Sequence, residues 1–287
     1  MGPTASGKSA LALDWARRRG ARIVNADSMQ VYRDLRVLTA RPPAEDEATV
    51  PHSLYGTIDG ADAYSVGRWL HDVIEVLVES GPVVVVGGTG LYFEALERGL
   101  APVPKIPDDV RARWRATDDA TLRRELAHRD PEAALTLRDR QRIIRALEVY
   151  EATGRTLREW QELPTRQGQG PLHGRVVRKL VLEPPRAVLR ARIAQRFATM
   201  MEGGALDEVG RLLERRLDPA LPLMRAIGVR ELGSLLRGEL GRANAEERAI
   251  IASRQYAKRQ STWFRNRMGS DWVRVDGVEA AKAALEA

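Results

Sequence analysis

Gly2-Pro3-Thr4-Ala5-Ser6-Gly7-Lys8-Ser9 satisfies the phosphate-loop pattern, two glycines with four residues between them followed by Lys and Ser, and Ala10 to Arg18 reads as the helix such a loop opens. The glycines let backbone N–H groups converge on phosphate oxygens, and the helix N-terminus adds partial positive charge. Lys8 then reaches the terminal phosphates and the Ser9 hydroxyl ligates magnesium. A phosphate loop normally follows a buried strand, yet only Met1 precedes Gly2. The sequence therefore predicts that the first strand is cut short at this start or that the sheet is completed another way.

Arg22 to Ala26 is an apolar run leading into Asp27. That places Asp27 at the C-terminal end of a parallel strand, the edge where open α/β sheets bind ligands. Asp27 reads equally well there as a ligand-facing carboxylate and as a turn or capping residue. Val83 to Val86 has the composition of a strand buried on both faces, followed by the flexible turn Gly87-Gly88-Thr89-Gly90-Leu91-Tyr92. Phosphate-loop nucleoside triphosphatases usually carry an acidic magnesium partner at the end of such a strand. Glycine stands there instead, which argues against a motor or switch GTPase and makes Thr89 a candidate hydrogen-bond donor to a phosphate or a transition state.

Residues 63–80 read as a helix, and Pro102, Pro104 and Pro107 form a stiff connector. From Asp108 to Arg166 the chain is charged and helix-like, with apolar positions such as Leu122, Leu126, Ile143 and Leu147 and no strand pattern. Gln167 to Gly174 brings the chain back, Arg175 to Leu182 alternates as a strand, and Pro184-Pro185 opens a helix through Met200. The expected fold is α/β: a phosphate-loop parallel sheet flanked by helices, with an all-helical insertion domain. Its parts are a core over 1–107, the insertion over 108–170, and the rest of the core over 171–287.

A chain of 287 residues suits that division. Apolar residues at 44% and charged residues at 30% exclude a disordered chain, and no apolar run approaches the about 20 residues of a membrane span. With no cysteine, a disulfide framework, a thiolate zinc site, an iron–sulfur cluster and a cysteine nucleophile are all excluded. The four histidines are scattered without metal-ligand spacing. The start has no leader pattern, so a cytoplasmic location is expected. A net charge of +7, most of its cations arginine, favours a polyanionic partner. Arg186, Arg190, Arg192 and Arg196 share one helix, facing either solvent or phosphate. Between Ser253 and Ser270 stand Arg254, Lys258, Arg259, Arg265 and Arg267 with no acidic residue, interleaved with Tyr256, Trp263 and Phe264. Such a segment can hold a phosphate backbone and stack on bases, or its aromatics can be the apolar face of a core helix.

Five stretches occur in order: Gly2 to Ser9, Asn25-Ala26-Asp27-Ser28-Met29-Gln30-Val31-Tyr32-Arg33, Gly87 to Tyr92, Gln141-Arg142-Ile143-Ile144-Arg145-Ala146-Leu147-Glu148 and Lys258-Arg259-Gln260-Ser261-Thr262-Trp263-Phe264-Arg265. With them the sequence closely resembles the tRNA dimethylallyltransferase, or tRNA isopentenyltransferase, family over nearly its whole length. Lacking the cysteines of the zinc finger that eukaryotic members often add, it resembles the bacterial type. The resemblance implies transfer of a dimethylallyl group from dimethylallyl diphosphate to the exocyclic amine of the adenine 3′ of the anticodon, in tRNAs reading codons that begin with U.

It further implies that Gly2 to Ser9 bind the diphosphate with magnesium, that Asp27 accepts the proton of the attacking amine, and that Thr89 lies at the reaction channel. Arg192 and Arg196 match an arginine pattern near the diphosphate. Ser28, Met29, Gln30, Arg111, Gln141 to Arg145, Arg225-Ala226-Ile227-Gly228-Val229-Arg230 and Lys258 to Arg265 match stretches that contact tRNA, and the insertion would clasp the anticodon stem. A monomer is expected. The rivals are a phosphate-loop small-molecule kinase, which leaves the insertion and the basic aromatic segment idle, and a nucleotide-dependent RNA-binding module without chemistry.

Overall fold

Gly7 lies in the left-handed region at φ 98°, which glycine adopts at little cost, and α1 (Lys8–Arg19) starts from it with no side chain capping its first turn. The N–H groups of that turn are thereby left to an external acceptor. In the computed structural model, which describes residues 1–79, 81–163 and 170–286, there follow β1 (Arg22–Asn25), α2 (Ala44–Thr49), β2 (His52–Ser53), α3 (Val66–Glu79), β3 (Val83–Val86) and α4 (Gly90–Arg98). The strands pair in parallel in the order β2-β1-β3, with Val24 opposite Ser53 on one side and Val85 on the other. Ala12 and Ala16 of α1 pack on Ile23 and Val86. Only Val86 of β3 is fully buried, because β3 is the edge of this sheet and not an interior strand.

The chain divides into two compact units, one of Met1–Leu96 with Gly174–Ala287 and one of Glu97–His173. The second unit contains α5 (Asp108–Ala116), α6 (Asp119–Arg129), α7 (Pro131–Thr136), α8 (Arg140–Thr153) and α9 (Leu157–Glu162). They close around Trp114, Leu122, Leu126, Ile143, Ile144 and Leu147. Four of the five helix starts, those of α6 to α9, carry a side-chain cap. The carboxylates of Asp118, Asp130 and Asp139 accept the N–H groups of Thr121, Ala133 and Arg142, and Thr156 with Glu159 forms a capping box. The division falls before the proline connector, so Pro102, Pro104 and Pro107 belong to the helical unit. Residues 167–169 of the expected return stretch lie outside the described residues.

The first unit resumes with β4 (Leu180–Leu182), α10 (Arg186–Glu202), α11 (Ala205–Glu214), α12 (Val229–Leu236), the 26-residue α13 (Arg242–Arg267), β5 (Val273–Val275) and α14 (Val278–Glu286). The strand expected over Arg175 to Leu182 is corrected to its last three residues, since its ladder partner β5 supplies only Val273–Val275. Met1 runs beside β4. Its amino group donates to the Leu180 carbonyl at 2.6 Å, and its own carbonyl accepts the Leu182 N–H at 2.9 Å. The Gly2 N–H then reaches the Gly87 carbonyl at 3.3 Å. Two residues thus link the β4-β5 pair to the end of β3, and the phosphate loop leaves directly from that link. Among the described residues no helix is long and apolar enough to cross a membrane.

Candidate active site

The phosphate loop folds on its own carbonyls. The Ser6 N–H and the Lys8 ammonium both donate to the Pro3 carbonyl, at 3.2 and 3.3 Å. Burial pulls the Lys8 ammonium down to about 8, with Asp27 opposing that shift and Arg196 adding to it. From α10, Arg192 donates to the Ser6 carbonyl at 3.2 Å, and one turn on, Arg196 donates to the Thr4 hydroxyl. Both arginines therefore support the loop.

β1 delivers Asp27. Buried Asn25 accepts the Asp27 N–H at 2.8 Å and donates to the Asp27 carbonyl at 2.9 Å, which fixes the backbone of the aspartate on both sides. The Asp27 carboxylate accepts the Met29 N–H at 3.0 Å, so the turn reading of this residue is correct, and the same carboxylate also lines a cavity. Thr89 stands one hydrogen bond behind that cavity. Its hydroxyl accepts the Ser28 N–H at 3.0 Å and meets the Tyr256 hydroxyl. Burial, with the Asp27 charge nearby, pushes the Tyr256 phenol up, so it stays protonated.

The cavity holds about 260 Å³. Thr4, Asp27, Arg196 and Tyr256 give it a polar end, and Met29, Leu38, Ile193, Phe197, Met200 and Ile227 give it an apolar wall. Ser28, Thr39, Arg225, Ala226, Ser253 and Arg259 complete it. Of Arg192 and Arg196, Arg196 is the one that lines the cavity. Three guanidiniums against one carboxylate suit an anionic ligand, and the apolar wall suits one with a hydrocarbon part. Ile193, Phe197 and Met200 were missed in the sequence. Their signal was the spacing of three, four and seven residues that puts them on one helical face with Arg196. Leu38 and Thr39 come from a loop and carry no periodic signal.

α13 shows which of the expected RNA contacts face outward. Lys258, Arg259, Thr262 and Trp263 line an open groove of about 450 Å³, with Arg267 stacked over the Trp263 ring at 5.5 Å. Exposed Arg265 pairs with Glu183 at 3.4 Å, and Ser261 is half-buried. Gln260 and Phe264 are buried, and this corrects the expectation that they meet tRNA: a contiguous stretch of helix turns only one face to a partner. The same correction holds for Val229 in α12 and for Ile143 and Ile144, which belong to the core of the helical unit. Gln141 and Arg142 are exposed, Arg111 is half-buried, and Arg145 pairs with Glu148 at 3.7 Å. Gly228 caps α12 in the left-handed region beside exposed Arg230. The Gln30 side chain bonds the Thr39 and Ala40 carbonyls of its own loop at 2.8 and 2.9 Å.

The sequence profile described as IPP transferase matches residues 30–267. The chain is 53% identical over 294 residues to the tRNA dimethylallyltransferase of Methylobacterium nodulans, spanning 99% of this chain and 96% of that one. It is 55% identical over 281 residues to that of Methylobacterium sp. (strain 4-46), spanning 94% and 91%. Among solved structures it is similar to the full-length tRNA isopentenylpyrophosphate transferase of Bacillus halodurans, with TM-score 0.67, 30% identity and coverage of 99% and 91%. It is also similar to a eukaryotic dimethylallyltransferase acting on tRNA, with TM-score 0.82, 25% identity and coverage of 99% and 76%.

Proposed function

The chain belongs to the IPP transferase family, and we propose that it transfers a dimethylallyl group from dimethylallyl diphosphate to tRNA, at the exocyclic amine of the adenine 3′ of the anticodon in tRNAs reading U-starting codons. The observation that carries the reading is the cavity in which the phosphate-loop residue Thr4, the Asp27 carboxylate and an apolar wall meet. A metabolite kinase would use the loop and the carboxylate but would have no use for the wall.

The chemistry follows from that arrangement. An allylic C–O bond breaks readily when the departing diphosphate is neutralised, and Lys8, Arg196 and the open N–H groups of the loop supply donors where the negative charge develops. The adenine nitrogen forms the new bond to the allylic carbon, and Asp27 accepts the proton that nitrogen must lose. The base has to leave its stack to enter the cavity, at a cost of a few kcal/mol, roughly. Among the described residues no three His, Cys, Asp or Glu side chains cluster into a metal cage. The exposed Ser9 hydroxyl in the first turn of α1 fits magnesium arriving with substrate phosphates, the ion's usual mode of binding. When bound, the ion supplies charge neutralisation to the diphosphate.

On this reading the outer face of α13, with Arg225 and Arg230, holds the RNA backbone, and Arg111, Gln141, Arg142 and Arg145 of the helical unit grip the anticodon stem. Following label from dimethylallyl diphosphate into tRNA, alongside ATP consumption with small acceptors, tests the proposal. Label in tRNA without ATP consumption supports it, and ATP-dependent phosphorylation of a small acceptor replaces it with the kinase reading.

A further inference from the structure

Glu208, in the first turn of α11, is buried and has no part in the chemistry above. Its carboxylate accepts three successive backbone N–H groups, from Arg36 at 2.5 Å and Val37 at 3.0 Å on one oxygen and from Leu38 at 2.8 Å on the other. A buried carboxylate is costly unless hydrogen bonds replace its water, and here one loop supplies those bonds. That loop lies between β1 and α2, beyond the single parallel bridge of Tyr32 to Ile58. Its carbonyl side is held separately: Gln30 donates to the Thr39 and Ala40 carbonyls, and the Thr39 hydroxyl donates to the Leu35 carbonyl at 2.6 Å. Just beyond α11, Arg215 pairs with Asp34 and Asp59, so the loop region is fastened near both ends of the same helix.

Held from its N–H side by Glu208 and from its carbonyl side by Gln30, the turn contributes Leu38 and Thr39 to the cavity wall beside Asp27. Gly228 leaves the room that Leu38 occupies; a Cβ at that position would lie 2.6 Å from Leu38 Cδ1. We infer that Glu208 is a positioning residue for prenyl transfer: by clamping the Arg36–Leu38 backbone it fixes the Leu38 wall against which the five-carbon allyl group is held. The inference rests on the function proposed above.

Glu208→Gln keeps the volume but replaces one acceptor oxygen with a donor that faces an N–H. Leu38→Ala removes the wall without touching the clamp. Each change is expected to raise the KM for dimethylallyl diphosphate by about tenfold, the low end of what small changes in an apolar pocket do, with kcat changing far less, since the wall grips the group before and during transfer alike. Because both act through the same contact, the double variant should show little more than the larger single effect. In Glu208→Gln the amides of Arg36, Val37 and Leu38 should exchange with deuterium faster while those of α13 stay protected. A variant that melts at lower temperature with unchanged KM, or single effects that multiply, overturns the proposal. Should Glu208→Gln fail to fold, Leu38→Ala decides, and an unchanged KM there overturns it equally. Absence of transfer by the wild-type chain would sink the proposed function itself, whereas an active wild type with indifferent variants sinks only the role of Glu208.

Discussion

The side-chain oxygen of Gln260 accepts the backbone N–H of Thr4 at 2.8 Å, joining the middle of α13 to the phosphate loop. Its amide nitrogen donates to the Gly88 carbonyl at 2.9 Å, so a single side chain ties the loop to the turn after β3. The same helix turns Lys258, Arg259 and Thr262 outward into the basic groove. On the proposed function, the residues that would hold RNA and the residue that anchors the diphosphate loop are neighbours on one helix, Arg259 and Gln260.

Replacing Gln260 with leucine takes the partner from the part-buried Thr4 N–H and from the buried Gly88 carbonyl. The expected loss of stability is about 1–3 kcal/mol, readable in urea denaturation, and kcat/KM for dimethylallyl diphosphate should fall with it because the loop loses an anchor. Full stability together with full activity would make the two hydrogen bonds incidental.

On the proposed function Asp27 both closes its turn and accepts a proton, and one substitution can separate the two. Asparagine still offers an oxygen to the Met29 N–H but cannot take a proton at neutral pH. Asp27→Asn should therefore bind donor and tRNA nearly as well as the wild type while turning over about 10²- to 10⁴-fold more slowly, the usual cost of a lost general base. Single-turnover rates with saturating substrates provide the test, and an unchanged rate would leave Asp27 only its turn.

How much of this was legible in the sequence depends on whether the chemistry was local. The phosphate loop is eight consecutive residues, and Asp27 stands two residues past the end of β1, so both could be read from neighbouring positions. Val83 to Val86 was legible as a strand from composition, but its half-burial was not, because that depends on which strand lies beyond it. His52–Ser53 and Val273–Val275 are too short to show a period of two. Gln260 sits in a basic segment whose aromatics could face either RNA or a core, a choice its spacing leaves open, and the packing of α13 over Gly88 and Gly90 turns it inward; a Cβ on Gly90 would lie 2.0 Å from Trp263. Glu208 and Leu38 are 170 residues apart, so no local pattern could join them.

The Lys8 ammonium gives a pH signature. Its folded value of about 8 lies below the ordinary 10.5, so between those values the unfolded chain binds more protons and this group's contribution to stability rises with pH. Diphosphate, however, needs the charged form. Donor affinity should therefore weaken as pH rises through about 8, two pH units or so before an ordinary lysine would release its proton. Donor titrations from neutral to alkaline pH would show the break, and Lys8→Arg, which stays charged, should remove it. A flat profile to pH 10 would mean that Lys8 keeps an ordinary ammonium in the free protein or does not meet the diphosphate.

The groove on α13 supplies the last test, since it separates an RNA-binding face from a merely solvated one. If Lys258 meets a phosphate, tRNA affinity should fall steeply with salt, and Lys258→Ala should both weaken binding and reduce the log–log salt slope by about 0.7–0.9, the value for one phosphate contact on a single strand or a duplex. Arg265 is a built-in comparison. Its guanidinium already pairs with Glu183 at 3.4 Å, and Arg274 pairs with the same carboxylate at 3.7 Å, so Arg265→Ala removes a cation and leaves Glu183 with Arg274, and any binding loss should grow at low salt, where the lost charge is least screened. Titrating tRNA against the wild type and both variants at several salt concentrations gives slopes and intercepts together. Superimposed lines for Lys258→Ala and the wild type would remove this face of α13 from tRNA binding.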